Sequence, residues 1–449
     1  MTTSNTHFDV IIIGSGTSAY YAATGLLAAK KKIAIIDERP FGGTCALRGC
    51  QPKKYLVANA EAVANAEHLV GKGIESAPRT DWKALQALKD EFLDGRSEED
   101  LKDWQEQGVA TFRHRATLSG PNEVTLDDGR QLTAEHIILA TGSSPRPTNI
   151  LGAEHIHISD DFLTLPELPR HITFIGGGYI SFEFAHVAIR AGAQVTLLHR
   201  SDRPLNGFDS NMVDVVLAAS REAGIDIVLE ESAVSVEKTK SSYQVTTSTG
   251  RIIETDFIVS ATGRVPNLSV LESDVGNVAH GRDGVEVNDH LQSTTNPAVY
   301  AIGDCADHGL MLATVADDHG KIVSRNILEG NTTAVVHSVV PSAVFTIPSL
   351  ATVGLTEEQA RSRGLDFRVK HGRPTGWPSS KRIGETHAAF KVLIDNKTDF
   401  ILGAHLVRHN AAEVINLFAL AMAYEIPAKD IANFLWAYPT SSSDIKSMV

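Results

Sequence analysis

The stretch FDVIIIGSGTSAYYAATGLLAAKKKIAIID, residues 8–37, decides how the rest of the chain is read. Phe8–Ile13 is a short β-branched run of the kind a buried parallel strand carries. Gly14, Gly16, Thr17, Ser18 and Ala19 make a G-x-G-x-x-A turn. An alanine-rich helix then runs to about Ala29, and a second strand, Lys32–Ile36, ends at the acids Asp37 and Glu38. Glycines at such a turn let the backbone close on a pyrophosphate, and the helix start offers free N–H groups and a positive dipole end. Asp37 lies 23 residues after Gly14, placed to accept from ribose hydroxyls. A bare glycine turn is the plainer reading, and the order strand, turn, helix, strand, acid outweighs it.

The pattern recurs 162 residues later. Ile172–Ile175 is a strand, Gly176, Gly177, Gly178, Tyr179, Ile180 and Ser181 the turn, a helix follows through Arg190, and Gln194–Leu198 is the second strand. The residue 23 positions past Gly176 is His199, followed by Arg200, with Arg203 nearby. An acid here would repel a 2′-phosphate, whereas arginines bind one. NADPH is therefore expected ahead of NADH, against the plainer reading of solvated surface arginines. Each fold also closes on a strand ending in Ala-Thr-Gly: Ala140, Thr141 and Gly142 in the first, Ala261, Thr262, Gly263 and Arg264 in the second.

Between the first acid and the next helix stands FGGTCALRGCQPKK, residues 41–54. It holds two of the three cysteines, Cys45 and Cys50, flanked by Gly43, Thr44, Lys53 and Lys54. Ala46–Ala66 is largely helix-compatible, so the pair lies near a helix start, where a dipole favours the thiolate and lowers its pKa. A dithiol cycling with a disulfide is the expectation. A metal clip would need two more ligands, which the neighbouring sequence lacks, and buried structural thiols are the remaining alternative. No metal is expected.

Composition narrows the class. A chain of 449 residues with 43% hydrophobic and 21% charged residues is an ordinary globular protein of several domains. A net charge of −13 argues against nucleic acid as a partner. Three cysteines are too few for a secreted disulfide framework. The start MTTSNTHFDV lacks a basic leader, and no apolar run reaches the roughly 20 residues of a membrane helix. A cytoplasmic protein with no membrane partner is expected.

After the second fold the chain returns to a short strand, PAVYAIGDCA, ending at Gly303 and Asp304, and to helix-compatible sequence from Leu312 and Ala313. Cys305 reads as a packed core thiol. The remainder, 339–449, reads as strands (FTIPSLATVGL, AAFKVLID, ILGAHLV) followed by apolar helices, with no nucleotide motif. It is expected to bury an apolar face against a second subunit. The fold class is α/β: two Rossmann-like dinucleotide-binding domains plus a C-terminal α+β dimerisation domain. Boundaries fall at 1–150 and 265–335 for the first, 151–264 for the second and 339–449 for the third.

In this order, GSGTSA, GGTCALRGCQPKK, ATG, GGGYISFEFA, ATGRVPN, YAIGDCA and FTIPSLATVGLT, the sequence resembles the flavoprotein disulfide reductases, the family of glutathione reductase, dihydrolipoamide dehydrogenase and mercuric reductase. The resemblance spans nearly the whole chain. It implies FAD on the first fold, a nicotinamide cofactor on the second and a homodimer. It makes Cys45 the thiol that attacks the substrate disulfide and Cys50 the one beside the flavin. Lys53 and Glu183 pair near the flavin, Tyr179 gates the nicotinamide pocket, Asp304 binds a ribityl hydroxyl, and the helix after Leu312 faces the flavin carbonyl side.

The departures bear on the acceptor. The family's C-terminal His-Pro-Thr is Tyr438-Pro439-Thr440 here, with Ser441–Asp444 where a glutamate follows the motif. Tyrosine titrates near about 10, histidine near about 6.5, so Tyr438 is a poor proton shuttle. Thr24 and Gly25 stand where glutathione reductases place arginines. Asp317, Asp318, His319, Lys321 and Trp377 are candidates for the mouth of the site, although ordinary surface roles fit them too. The expected activity is transfer of electrons from NADPH through FAD to Cys45–Cys50, and on to a small-molecule or protein disulfide, not glutathione disulfide by preference. Alternatives are a metal-thiolate or quinone acceptor and, from another class, a flavoprotein interaction partner with incidental turnover.

Overall fold

In the computed structural model, which describes residues 6–272 and 275–449, the opening stretch forms strand β1 (Thr6–Ile13), helix α1 (Thr17–Ala28) and strand β2 (Ile33–Ile36). The first five residues of MTTSNTHFDV lie outside the described ones. β1 and β2 pair in parallel, Val10 with Ile33 and Ile13 with Ile36. On its other side β1 pairs in parallel with strand Gln131–Leu139. Val10 and Ile12 pack towards α1, with Ala19, Ala22, Ala23 and Leu26. Phe8, Ile11 and Ile13 pack on the opposite face with Leu118, Val124 and Leu132. A sheet covered on both faces explains why β1 is an unbroken apolar run.

This unit comprises Met1–Lys54, Ala87–Arg146 and Arg264–His337. Its sheet continues beyond β2 to Ala110–Phe112. Strand Gln131–Leu139 changes neighbours along its length: antiparallel Glu123–Leu126 takes its first half, and parallel Val299–Ala301 its second. The chain therefore ends strands side by side at Ile13, Ile36, Leu139 and Ala301, where α/β sheets place their ligands. The cysteine stretch forms two helices, α2 (Gly43–Arg48) and α3 (Cys50–His68), broken only at Gly49.

The second unit comprises Tyr55–Gln86, Pro147–Gly263 and Ser338–Val449. Its parallel sheet runs in the order Asp226–Val228, Gln194–Leu198, His171–Ile175, Phe257–Ser260. Phe174, Val195 and Leu197 pack on Phe182 and Ala185 of the helix Tyr179–Arg190. Ile175, Leu198 and Ile258 pack on Val236 and Val245 of a three-stranded antiparallel layer. The C-terminal segment builds a five-stranded antiparallel sheet in the order Ser342–Val344, Ser349–Gly354, Ile401–Arg408, Ala389–Asp395, Phe367–Gly372, against which the helix Ala411–Ala423 packs. The run FTIPSLATVGL is not one strand. Phe345–Pro348 links two, because the N–H groups of Phe345 and Ile347 go to Glu183 Oε1 and His186 Nδ1 instead of a ladder.

Candidate active site

The two glycine turns are built alike. A Cβ on Gly14 would lie 2.2 Å from the Ala140 carbonyl oxygen, and one on Gly176 would lie 2.3 Å from that of Ala261. Each turn is thus pressed against the strand end that precedes a Thr-Gly pair, and only glycine fits. Gly16 and Gly178 cap the helices that follow, with no side chain on the N-terminal N–H groups. The first intrahelical bond of α1 comes from Tyr20 to the Gly16 carbonyl, at 3.0 Å. The N–H groups of Thr17, Ser18 and Ala19 are left without an intrahelical acceptor, as a pyrophosphate site requires.

Asp37 is tied into the first turn. Its Oδ2 accepts from the Ser15 N–H at 2.8 Å and the Ser15 hydroxyl at 2.6 Å, and Oδ1 accepts from the Arg39 N–H at 2.9 Å. Glu38 is exposed. On the neighbouring strand ends, Thr141 and Asn267 hold each other: the Thr141 hydroxyl donates to the Asn267 carbonyl at 2.6 Å, and Asn267 Nδ2 donates to the Thr141 carbonyl at 2.9 Å. The Asn267 N–H donates to the Gly142 carbonyl. Arg264 Nε donates to the Ser143 hydroxyl at 2.8 Å, which donates to Asp304 Oδ2 at 2.7 Å. Neither Ser143 nor Asn267 is singled out by the sequence. The signal that finds them is their position one and four residues after the two Ala-Thr-Gly ends.

The cysteine stretch is fastened to the same turn. Gly42 donates its N–H to the Ser15 hydroxyl at 3.2 Å. Gly43, at φ +73°, lies with its backbone against Gly16. Thr44 and Cys45 are half-buried within α2, and Cys50 is exposed at the start of α3, followed by half-buried Lys53 and Lys54. The Cys45 thiol is hydrogen-bonded to Cys50. That bond, burial and the negative charges of Cys50 and Asp317 push the Cys45 pKa up, against a lesser lowering by the Cys50 backbone. The helix-start expectation of a lowered pKa is not met at Cys45, where pairing with Cys50 and burial outweigh the dipole. Cys305 is buried, its Sγ directed at the Leu139 and Ile302 carbonyls, and burial raises its pKa.

Leu312 caps the helix Ala313–Glu329, and its carbonyl accepts from the Ala316 N–H at 2.9 Å. Gly303, at the end of strand Val299–Ala301, donates its N–H to His319 Nδ1 at 3.2 Å. His319 is fully buried, so it does not line a mouth; burial, with the positive influence of His337 and His308, lowers its pKa to about 4. Asp318 pairs with His337 at 3.0 Å. Gly25 of α1 sits where a Cβ would lie 2.5 Å from Ser324 Oγ of that helix. The contact explains why an arginine cannot occupy position 25 here.

In the second unit, His199 packs its ring against Gly177, where a Cβ would stand 2.6 Å away, and burial lowers its pKa. Arg200 is exposed beside it, and Arg203 is exposed with Asp214 at 3.6 Å. Tyr179 is 46% exposed and Ile180 half-buried at the start of their helix, and Gly263 and Arg264 follow the adjoining strand. Glu183 is buried one turn on, its Oε1 accepting from the Phe345 N–H at 2.9 Å.

Tyr438 is 70% exposed, with Lys446 Nζ 5.7 Å from its ring centre. Asp444 is not available to it as a glutamate substitute. Its Oδ2 accepts from buried Arg408 at 2.6 Å and from the Ser379 hydroxyl at 2.5 Å. Ser443 is buried and bonded within the turn to Thr440. Trp377 packs on Phe390 inside the C-terminal sheet.

Glycine-lined turns, open helix starts and the Arg264–Ser143–Asp304 chain fit a dinucleotide flavin on the first fold. The Gly176 turn fits a nicotinamide dinucleotide on the second.

Comparison with known proteins gives a consistent assignment. Residues 8–320 match the family described as pyridine nucleotide-disulphide oxidoreductase, and residues 340–449 match the dimerisation domain of the same family. A glutathione reductase of Burkholderia cepacia is 33% identical over 98% of this chain and 98% of its own. A mercuric reductase of Bacillus cereus is 32% identical over 99% of this chain and 71% of its own. Among solved structures, the Cu(II) complex of the HOCl-induced flavoprotein disulfide reductase RclA from Escherichia coli superposes with a TM-score of 0.89 at 26% identity, covering 98% of each chain.

Proposed function

The chain belongs to the pyridine nucleotide-disulphide oxidoreductase family, and we propose that it passes two electrons from NADPH through FAD to the Cys45–Cys50 pair and on to a disulfide other than glutathione. The observation that carries this is the placing of Cys45 and Cys50, on two helices that meet at Gly49, directly beside the first glycine turn, through Gly43 against Gly16. The protein acts as a homodimer through 339–449, in a reducing cytoplasmic compartment. Among the described residues no helix is long and apolar enough to cross a membrane.

Bound FAD supplies acceptance of hydride and delivery of two electrons to the dithiol. The protein does the rest. Gly14, Gly16 and Gly43 give the backbone room to approach the pyrophosphate, with Thr17, Ser18 and Ala19 N–H groups free to bind it. Asp37 and Asp304 offer carboxylate oxygens to sugar hydroxyls, the latter steadied by Ser143 and Arg264. Cys50 exchanges electrons with the flavin and Cys45 meets the acceptor, while Lys53, Glu183 and Tyr179 serve in the roles the family gives them.

Protons set the limits of the acceptor. Cys50 and burial raise the Cys45 pKa, the family's His–Glu dyad is missing, and Asp444 is committed to Arg408 and Ser379. An acceptor that departs without help is favoured: a disulfide with a low-pKa leaving thiol. The absent dyad also favours a second reading, reduction of a thiolate-bound metal ion, which releases no thiol at all. The test is NADPH oxidation by wild type and Cys45→Ser across activated disulfides, glutathione disulfide, mercury(II), copper(II) and quinones. The proposal expects activated disulfides to be consumed by the wild type alone. Turnover confined to metal ions, or surviving in Cys45→Ser, overturns it.

A further inference from the structure

Helix α1 and the helix Ala313–Glu329 lie in close contact, Gly25 against Ser324. Along that contact Thr17 donates its hydroxyl to Asp317. One turn on, Lys321 holds Nζ over the Tyr21 ring, 4.6 Å from its centre. Thr17 follows Gly16, against which Gly43 rests, and Cys45 comes two residues after Gly43. Asp317 is therefore tied to the helix start on which the dithiol segment rests, and its charge reaches the Cys45 thiol. Asp318 is directed to His337 and His319 is buried, so neither shares this position.

We propose that Asp317 is a specificity-determining residue of the Cys45 site, favouring disulfides that carry positive charge beside the S–S bond and disfavouring anionic ones. The proposal rests on the reading of Cys45 as the thiol that meets the acceptor. In the exchange, the Cys45 thiol gives its proton to solvent, its sulfur attacks one substrate sulfur, the S–S bond breaks, and the departing thiolate takes a proton from solvent. The Cys50 thiolate then attacks the Cys45 sulfur, releasing the second thiolate and closing the Cys45–Cys50 disulfide, which NADPH re-reduces. Negative charge is spread over three sulfurs as the first bond breaks. A fixed carboxylate opposes that charge, and an ammonium group on the substrate offsets it. Unit charges about 6 Å apart in a partly screened site change a rate by about tenfold. Lys321, of opposite sign and one turn away, is the group whose removal should act in the reverse direction.

The test compares two labels of opposite charge on a single thiol. Cys50→Ser leaves Cys45 as the only reactive cysteine, since Cys305 is buried. Trimethylammonium-ethyl and sulfonato-ethyl methanethiosulfonates are reacted with this protein at low salt, and rates are read by mass spectrometry. Adding Asp317→Asn should lower the cationic-to-anionic rate ratio by about fivefold or more, and adding Lys321→Ala should raise it. A ratio unchanged by Asp317→Asn overturns the proposal. In parallel, kcat/KM for cystamine and for dithiodipropionate is measured in wild type and Asp317→Asn, each normalised to neutral hydroxyethyl disulfide. The preference for cystamine should fall with the label ratio. If no disulfide is turned over yet the label ratio shifts, the disulfide-reductase reading falls and the role of Asp317 stands. If disulfides are turned over and neither ratio shifts, the role of Asp317 falls alone.

Discussion

Gly43 stands against Gly16 so closely that a Cβ on Gly43 would lie 2.4 Å from the Gly16 Cα. One contact thus joins the start of the cysteine helix to the start of the nucleotide helix. Gly43 also has φ +73°, where an L-side chain costs roughly 1–2 kcal/mol. Gly43→Ala should melt several degrees lower and lose flavin, because the turn must move to admit the methyl group. Absorbance of the protein after gel filtration and a thermal melt check this. Full flavin retention with an unchanged melt would show that the contact is not required.

Asp444, where the family's glutamate falls, serves Arg408 and Ser379 rather than orienting Tyr438. Tyr438→Phe should therefore leave turnover of activated disulfides within about twofold. Tyr438→His should raise turnover of an alkyl disulfide with a poor leaving thiol by about tenfold or more, short of the about 10²–10⁴-fold of full general acid–base help because no glutamate accompanies the new ring. A large loss in Tyr438→Phe would instead make the phenol a working acid. Steady-state kinetics on both disulfides separate the outcomes.

The sequence made both nucleotide folds readable because their turns demand residues with no substitute: Gly14 and Gly176 meet carbonyl oxygens at 2.2 and 2.3 Å. Other features depended on distant partners. Nothing near Asp444 announces Arg408, which is 36 residues away and reaches it only through the C-terminal sheet. Strand Phe367–Gly372 is not legible in the sequence because its edge position leaves Arg368, Lys370 and His371 exposed, so it lacks an apolar run. The raised pKa of Cys45 was hidden because local helix geometry argues the opposite, and only burial, the Cys50 bond and Asp317 reverse it.

Stability should fall with acid through His186. This residue is buried; its Nδ1 accepts from the Ile347 N–H at 3.2 Å and its Nε2 donates to the Ser220 hydroxyl at 2.9 Å. Both nitrogens are used only by the neutral ring, and burial lowers the pKa to about 3. The unfolded chain binds a proton below about 6.5 and the folded chain does not, so stability is full above that pH and is lost as pH falls towards 3. From pH 7 to 5 the loss from this group is about 2 kcal/mol. Urea unfolding at the two pH values measures it, and His186→Gln should flatten the slope by up to one proton. An unchanged slope in that variant would contradict the assignment.

Arg200 is exposed where the first fold has an acid, and Arg203 is only loosely engaged by Asp214 at 3.6 Å. Arg200→Ala should raise KM for NADPH by about tenfold, with little change for NADH, because only the former brings a 2′-phosphate to a charge-assisted contact. Equal effects on the two nucleotides would defeat the preference for NADPH.

Whether electrons from NADPH reach the Cys45–Cys50 pair is read by anaerobic titration with NADPH, followed by absorbance and by alkylation of thiols. A long-wavelength thiolate-to-flavin band is expected together with alkylation of both Cys45 and Cys50, and loss of the band in Cys50→Ser. A band that survives Cys50→Ser, or a flavin that bleaches while Cys45 and Cys50 remain oxidised, would contradict that transfer.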